Sequence, residues 1–187
     1  MPTKHALRRT LLQRRATLPS EQWGAWSSAI CQQVQRLPVY QRAHIIHCYL
    51  PIRAEVDTLP LAHHALIAGK RLVVPIVEQG RPDLAHSWIS GIAAAELEPG
   101  TFGILQPRSM QPAAPGDWDL TIVPLLGFDR RGYRLGYGKG YYDRLLAVAP
   151  TPTIGLAFAM QEVEMVPTEP HDLPLTWVVT EHEVIAC

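Results

Sequence analysis

One run, Leu120 to Val148, limits the fold more than any other part of the chain. Leu120 to Leu126 is apolar, Gly132 to Gly140 is rich in glycine, and Tyr141 to Val148 is an apolar and polar mixture suited to a helix. The order reads as strand, glycine loop, helix. Between Gly132 and Asp143 stand four glycines, two cations (Arg134 and Lys139), several tyrosines and one carboxylate. Such a loop turns backbone N–H groups toward an anion and seats it at a helix N-terminus. A nucleotide or phosphate enzyme is the expectation.

Two common phosphate signatures fail. A Walker loop needs Gly-Lys followed by Ser or Thr, but Lys139 precedes Gly140. A dinucleotide fingerprint needs GxGxxG, and the spacing from Gly136 is GxGxG. The physics survives both failures. Glycine admits positive φ and close backbone approach. Arg134 offers a planar fork to phosphate oxygens and Lys139 a compact charge. Asp143 has two readings on local grounds: compensation of the helix dipole, or a Mg²⁺ ligand beside the phosphates.

The rest of the chain alternates helices and strands. Lys4 to Ala16 reads as a helix with a Leu7, Leu11, Leu12 stripe, and Ser20 as the N-cap of a second helix that Pro38 closes. Strands are expected at 44–50, 71–77, 84–90, 119–125, 153–158 and 177–180. Thr58 is expected to cap a helix ending near Gly69, and a short helix is expected near 92–95. The Pro- and Gly-rich stretch 96–116 reads as a long surface connection. This pattern predicts an α/β fold with a mainly parallel sheet and helices on both faces, in one domain over 1–187.

Composition narrows the classes of function. Lys+Arg and Asp+Glu both number 17, so the net charge is zero. That disfavours general nucleic-acid binding, whose affinity comes from neutralising phosphates. The basic start (Lys4, Arg8, Arg9, Arg14, Arg15) leaves a local nucleic-acid contact as a third-rank reading. Three scattered cysteines, Cys31, Cys48 and Cys187, suit a reducing cytoplasm. No run approaches the roughly 18 apolar residues of a membrane span, and the start lacks the apolar core of a secretory signal.

Four segments together resemble the 5-formyltetrahydrofolate cyclo-ligase (methenyltetrahydrofolate synthetase) family. They are Val123-Pro124 with Phe128 through Asp143; Tyr49-Leu50-Pro51 with Glu55-Val56-Asp57-Thr58; the basic start with Lys4 and Arg8; and Gly155 through Phe158 with Gln161, Pro167 and His171-Asp172-Leu173-Pro174. The resemblance implies a three-layer α/β/α enzyme, a cytoplasmic ligase and monomer with small-molecule substrates and neither nucleic acid nor membrane as partner. It implies that 5-formyltetrahydrofolate is closed to the 5,10-methenyl form while ATP, the co-substrate, becomes ADP and phosphate. Lys4, Arg8 and the loop residues Arg134, Leu135, Gly136, Tyr137, Gly138, Lys139, Gly140, Tyr141 and Tyr142 would bind ATP, with Arg134 and Lys139 the catalytic cations. Leu50 and Glu55 would contact the folate, Glu55 by accepting from pterin N–H donors. On the bare sequence alone, an exposed loop glutamate is the slightly favoured reading of Glu55. Asp143 and Asp172 would hold Mg²⁺. One position departs from the family pattern: Thr176 stands where a second aspartate is usual. That keeps alive a binding module without turnover.

Other residues stay unpromoted. His63 and His64 are adjacent and point apart on a helix, and His44 and His47 face opposite sides of a strand, so satisfied core or surface histidines are expected; only His171, beside Asp172, is set apart. Trp23 and Trp26 read as core, as does Cys48. Phe158 reads equally as core or as a stacking platform.

Overall fold

The computed structural model describes residues 3–187. In chain order its helices are α1 (Lys4–Ala16), α2 (Ser20–Arg36), α3 (Pro38–Arg42), α4 (Leu59–Ile67) and α5 (Tyr141–Val148). Its strands are β1 (Ile45–His47), β2 (Arg71–Ile76), β3 (Ala85–Ile89), β4 (Leu97–Pro99), β5 (Leu105–Pro107), β6 (Gln111–Pro112), β7 (Leu120–Pro124), β8 (Gly127–Phe128), β9 (Arg134–Leu135), β10 (Thr153–Leu156), β11 (Trp177–Val179) and β12 (Val184–Ala186).

Eight strands form the main sheet in the order β12-β11-β10-β7-β1-β2-β3-β6. The five from β11 to β2 run parallel, and β12, β3 and β6 are antiparallel additions at the two edges. Both faces are covered, so β2 is buried along all but its first residue. Its alternate residues separate the layers. Leu72 and Val74 pack with Ile30 and Val34 of α2 and Leu61 of α4, whereas Val73 packs with Leu145 of α5. The three-layer α/β/α arrangement follows directly.

β1 lies between β2 and β7. The chain leaves β1 toward β2 on one side, and the next parallel strand, β7, enters on the other. That reversal opens a crevice at the carboxyl ends of β1 and β7, the usual ligand position in open α/β sheets. Helix α1 closes the crevice from outside. Thr3 Oγ1 caps it by accepting from Ala6 N–H (3.2 Å), and its apolar stripe, Leu7 and Leu11, packs on Leu135 and Val166.

Several local expectations need correction. Residues 92–95 hold no helix; a turn at 94–96 is closed by Glu96 N–H to Ala93 O (2.8 Å). The stretch 96–116 is more than a connection: β4 and β5 form a hairpin, and β6 extends the sheet edge beside β3. Each of these three strands ends in proline, which edge strands tolerate. Ser20 lies inside α2, behind an N-cap at Pro19. Pro38 does not merely end α2 but opens α3, where its missing N–H costs nothing. Thr58 caps α4 by position only; its hydroxyl donates to Tyr49 O (2.6 Å).

Candidate active site

The crevice holds a cavity of about 330 Å³. Every site residue named from the sequence lines it: Lys4, Arg8, Leu50, Glu55, Arg134 through Asp143, and Asp172. They arrive from α1, from the segment after β1, from the glycine loop and α5, and from the crossing before β11. The tip of the β4–β5 hairpin adds Phe102 and Ile104 at the mouth.

The glycine loop takes its shape from two constraints. Gly138 has φ +94, a backbone conformation that favours glycine, and a Cβ there would lie 3.2 Å from Arg8 Cζ and press on that guanidinium. Arg8 Nε donates to Gly136 O (2.9 Å), which ties α1 to the loop. Gly140, at φ +68, is the N-cap of α5 and brings no capping side chain. The first turn of α5 therefore faces the cavity with its N–H groups uncapped by side chains, and with the positive end of its dipole. Lys139 is exposed beside it, and among the described residues its ammonium has no hydrogen-bond partner.

Arg134 is organised differently. It is buried, and its fork is committed to the protein: Nη1 donates to Leu173 O (2.8 Å) and Nη2 to Asp143 Oδ1 (2.5 Å). It braces α5 against the 172–173 segment while lining the cavity. Asp172 accepts from Lys4 Nζ (2.7 Å), which also reaches Glu169 (2.7 Å). Partial burial pushes the Asp172 carboxyl up, but the Lys4 ammonium and the Glu169 N–H outweigh it and hold it below its usual value. Asp143 and Asp172 are hard oxygen donors of the kind Mg²⁺ takes. Each uses one carboxylate oxygen on its cation, and among the described residues neither second oxygen has a hydrogen-bond partner. In donor chemistry both carboxylates suit that metal. Glu169, His171 and Asp172 also bring ligand atoms within 4.8 Å of one another, but the first two are exposed.

Glu55 is a buried carboxylate, not an exposed loop residue; it is 5% accessible. Its Oε2 accepts from Ile52 N–H (3.0 Å), and its backbone carbonyl accepts from Trp23 Nε1 (2.7 Å). Burial pushes its pKa up, opposed by the Ile52 N–H, Tyr137, Arg15 and Arg53. Tyr142 lies nearby with its hydroxyl buried and, among the described residues, unpartnered.

The model of the 5-formyltetrahydrofolate cyclo-ligase family matches residues 1–181. The chain belongs to that family. It is 32% identical over 179 residues to the 5-formyltetrahydrofolate cyclo-ligase of Escherichia coli K12, covering 92% of this chain and 97% of that protein. The cyclo-ligase of Mycolicibacterium smegmatis is 30% identical over 190 residues, covering 95% and 93%. Among solved structures, the 5,10-methenyltetrahydrofolate synthetase of Aquifex aeolicus superposes with a TM-score of 0.85 at 33% identity, covering 98% of this chain and 92% of that one.

Within this cyclo-ligase fold, Thr176 does not line the cavity. It precedes β11, at the amino-terminal ends of the strands. There its hydroxyl accepts from Thr153 N–H (3.1 Å), and its own N–H donates to Thr153 Oγ1 (2.8 Å). The residue that favoured a binding module thus clips two strands together at the other end of the sheet. Phe158 is fully buried and packs on Trp26 (centroids 6.0 Å apart), so it is core. His47 pairs with His86 (3.2 Å) inside the protein, and burial drives the His47 pKa far down and that of His86 to about 4. Sequence reasoning missed two residues. Phe102 sits at the cavity mouth with φ 60 in a stretch without periodicity. Arg15 looks like one more surface cation in a basic helix, yet is 2% accessible. Among the described residues no helix is long and apolar enough to cross a membrane.

Proposed function

We propose that this chain closes the 5-formyl group of 5-formyltetrahydrofolate onto N10, giving 5,10-methenyltetrahydrofolate while ATP becomes ADP and phosphate. The observation that carries the reading is the convergence of Lys4, Arg8, Glu55, the glycine loop and Asp172 on one crevice in a member of this family.

The formyl oxygen is a poor leaving group, so it first attacks the γ-phosphate to give an iminium phosphate. N10 then attacks the activated carbon, its proton is lost and phosphate departs. Substrate atoms supply both nucleophiles, so the protein must align two substrates and neutralise charge on the transferring phosphoryl group. Lys139 serves as the free phosphate cation. Arg8 and Lys4 extend the positive wall, and the uncapped first turn of α5 receives phosphate oxygens. Arg134 holds Asp143 in register with the 172–173 segment and adds its charge behind the phosphates. Mg²⁺, held by Asp143 and Asp172, would neutralise phosphate charge and fix its orientation. Leu50 and Glu55 hold the folate, the carboxylate accepting from pterin N–H groups. The protein acts as one domain, as a cytoplasmic monomer.

Purified protein with MgATP converts 5-formyltetrahydrofolate to a product with the near-ultraviolet absorbance of the methenyl form. Absence of that product from folded protein, beside an active control enzyme, overturns the proposal.

A further inference from the structure

A second cavity, of about 380 Å³, adjoins the first and has no part in the reaction described above. Phe102, Lys139 and Tyr141 line both. Its other walls are the turn between β2 and β3, from Glu78 to Pro82, and Arg144 of α5. Among its described lining residues, three cations (Arg81, Lys139 and Arg144) face one carboxylate, Glu78. Arg144 is fixed in place. Its Nε donates to Asp83 Oδ1 (2.8 Å), its Nη2 to the carbonyls of Pro82 and Lys139, and its guanidinium lies 5.6 Å from the Tyr141 ring centroid. Arg81 is exposed and almost uncommitted. Its Nε meets Glu78 Oε2 (3.0 Å), and among the described residues neither Nη has a hydrogen-bond partner.

We infer that this annex binds the carboxylates of the substrate's glutamate, with Arg81 and Arg144 as their cations; this rests on the function proposed above. 5-Formyltetrahydrofolate is built in a line: a pterin, an aminobenzoyl ring, and a glutamate with two carboxylates. The site has the same order. Glu55 accepts from the pterin. Val77 and Leu84, which flank the 78–83 turn, join Phe102 and Ile104 in an apolar wall suited to the ring. Phe102 belongs to both cavities, so that wall leads into the annex. There a guanidinium can take a carboxylate through two parallel N–H···O bonds, and Arg81 has both Nη groups to give. The phosphates of ATP are the other anions at hand. Lys4, Arg8, Asp143 and Asp172, which make the phosphate and metal corner, do not line the annex. Arg53 does not compete for the glutamate, because it stands on the Ile52–Glu55 turn and so at the pterin end.

The test pairs one exposed residue with two substrates, at saturating ATP. The second substrate is the amide of 5-formyltetrahydropteroate, which lacks the glutamate and carries no carboxylate. The parent should show a KM about tenfold higher for the amide than for 5-formyltetrahydrofolate. Arg81→Gln should raise the folate KM about fivefold, the worth of one partly exposed ion pair. It should leave KM for the amide and for ATP unchanged. Arg81→Glu should raise the folate KM further, by placing like charges together. Added salt should raise the folate KM of the parent and not that of the amide. Equal KM for the two substrates in the parent, a shift in Arg81→Gln that the amide shares, or a shift in ATP KM instead overturns the inference. So does a loss of discrimination in Arg53→Gln with Arg81→Gln unaffected. Arg81 is exposed on a turn, so its variants should keep the parent's Tm; if they do not fold, the parent's two KM values decide alone. Inactivity of the parent toward both substrates, by contrast, overturns the proposed function itself.

Discussion

The two ends of the sheet obey different rules. At the amino-terminal ends polar groups satisfy one another. Thr153 and Thr176 exchange hydrogen bonds, Thr121 Oγ1 meets Thr151 Oγ1 (2.7 Å) and Trp118 Nε1 (3.0 Å), and Asp119 accepts from the His44 and Ile45 N–H groups. At the carboxyl ends the accounting stays open. Glu55 is buried with a raised pKa, Arg15 Nη1 and Tyr142 Oη lack partners among the described residues, and Phe102 is 70% accessible with a left-handed backbone. Unmade bonds and strain gather where a ligand is to complete them. A substitution is therefore read first by which end it occupies.

Four measurements break or sharpen that contrast. Lys139→Ala should have the largest effect. By analogy with a lost oxyanion donor, about 2.7–4 kcal/mol leaves the phosphoryl-transfer step, roughly a hundred- to thousandfold in kcat. Steady-state kinetics should show this with ATP varied, while calorimetric folate binding stays intact. Unchanged ATP kinetics contradict the assignment.

Glu55→Gln should come second, at about 1.5–3 kcal/mol of folate affinity. Its effect on stability has the opposite sign. Burial raises the folded pKa of Glu55 above its unfolded value. Its contribution is therefore fully favourable below the unfolded pKa and is lost as pH rises through the folded one. The ionised group opposes folding at neutral pH, so the glutamine variant should melt higher while binding folate worse. A lower Tm breaks the contrast.

Asp172→Asn should act at the phosphate corner by raising several-fold the Mg²⁺ concentration for half-maximal activity. Here the carboxyl is held below its usual value, so the Lys4 pairing contributes at neutral pH and is lost as pH falls through the folded pKa. Tm against pH for parent and variant should converge in acid. The smallest functional effect belongs to the other end. Thr176→Val should cost about 1–3 kcal/mol of stability by stranding the Thr153 N–H, with both KM values unmoved. Thr176→Asp should leave the Mg²⁺ requirement where it was.

How much of this was legible depended on how locally each residue's role is encoded. The glycine loop could be read because its conformational demand is written in adjacent residues, Gly136, Gly138 and Gly140. The sheet core could be read because β2 and β7 are continuous apolar runs. The ends of α2 could not, since proline both stops one helix and starts another. Strands β8, β9 and β12 have two or three residues each, too few to show a period. The burial of Arg15 depends on Tyr137, 122 positions away, and Phe102 reaches the cavity only by the bend of a hairpin that alternation does not reveal. The role of Thr176 was open until its end of the sheet was known.

Helix α1 has a consequence for biosynthesis. Lys4 meets Asp172, 168 residues later. At roughly 5–20 residues per second, the first helix waits on the order of ten to thirty seconds for its last partner to be made. Until then the Lys4–Asp172 pair that ties α1 to the crossing before β11 cannot form, although most of the sheet has emerged. A chain released before that point has the glycine loop but lacks the contact that anchors the start of α1.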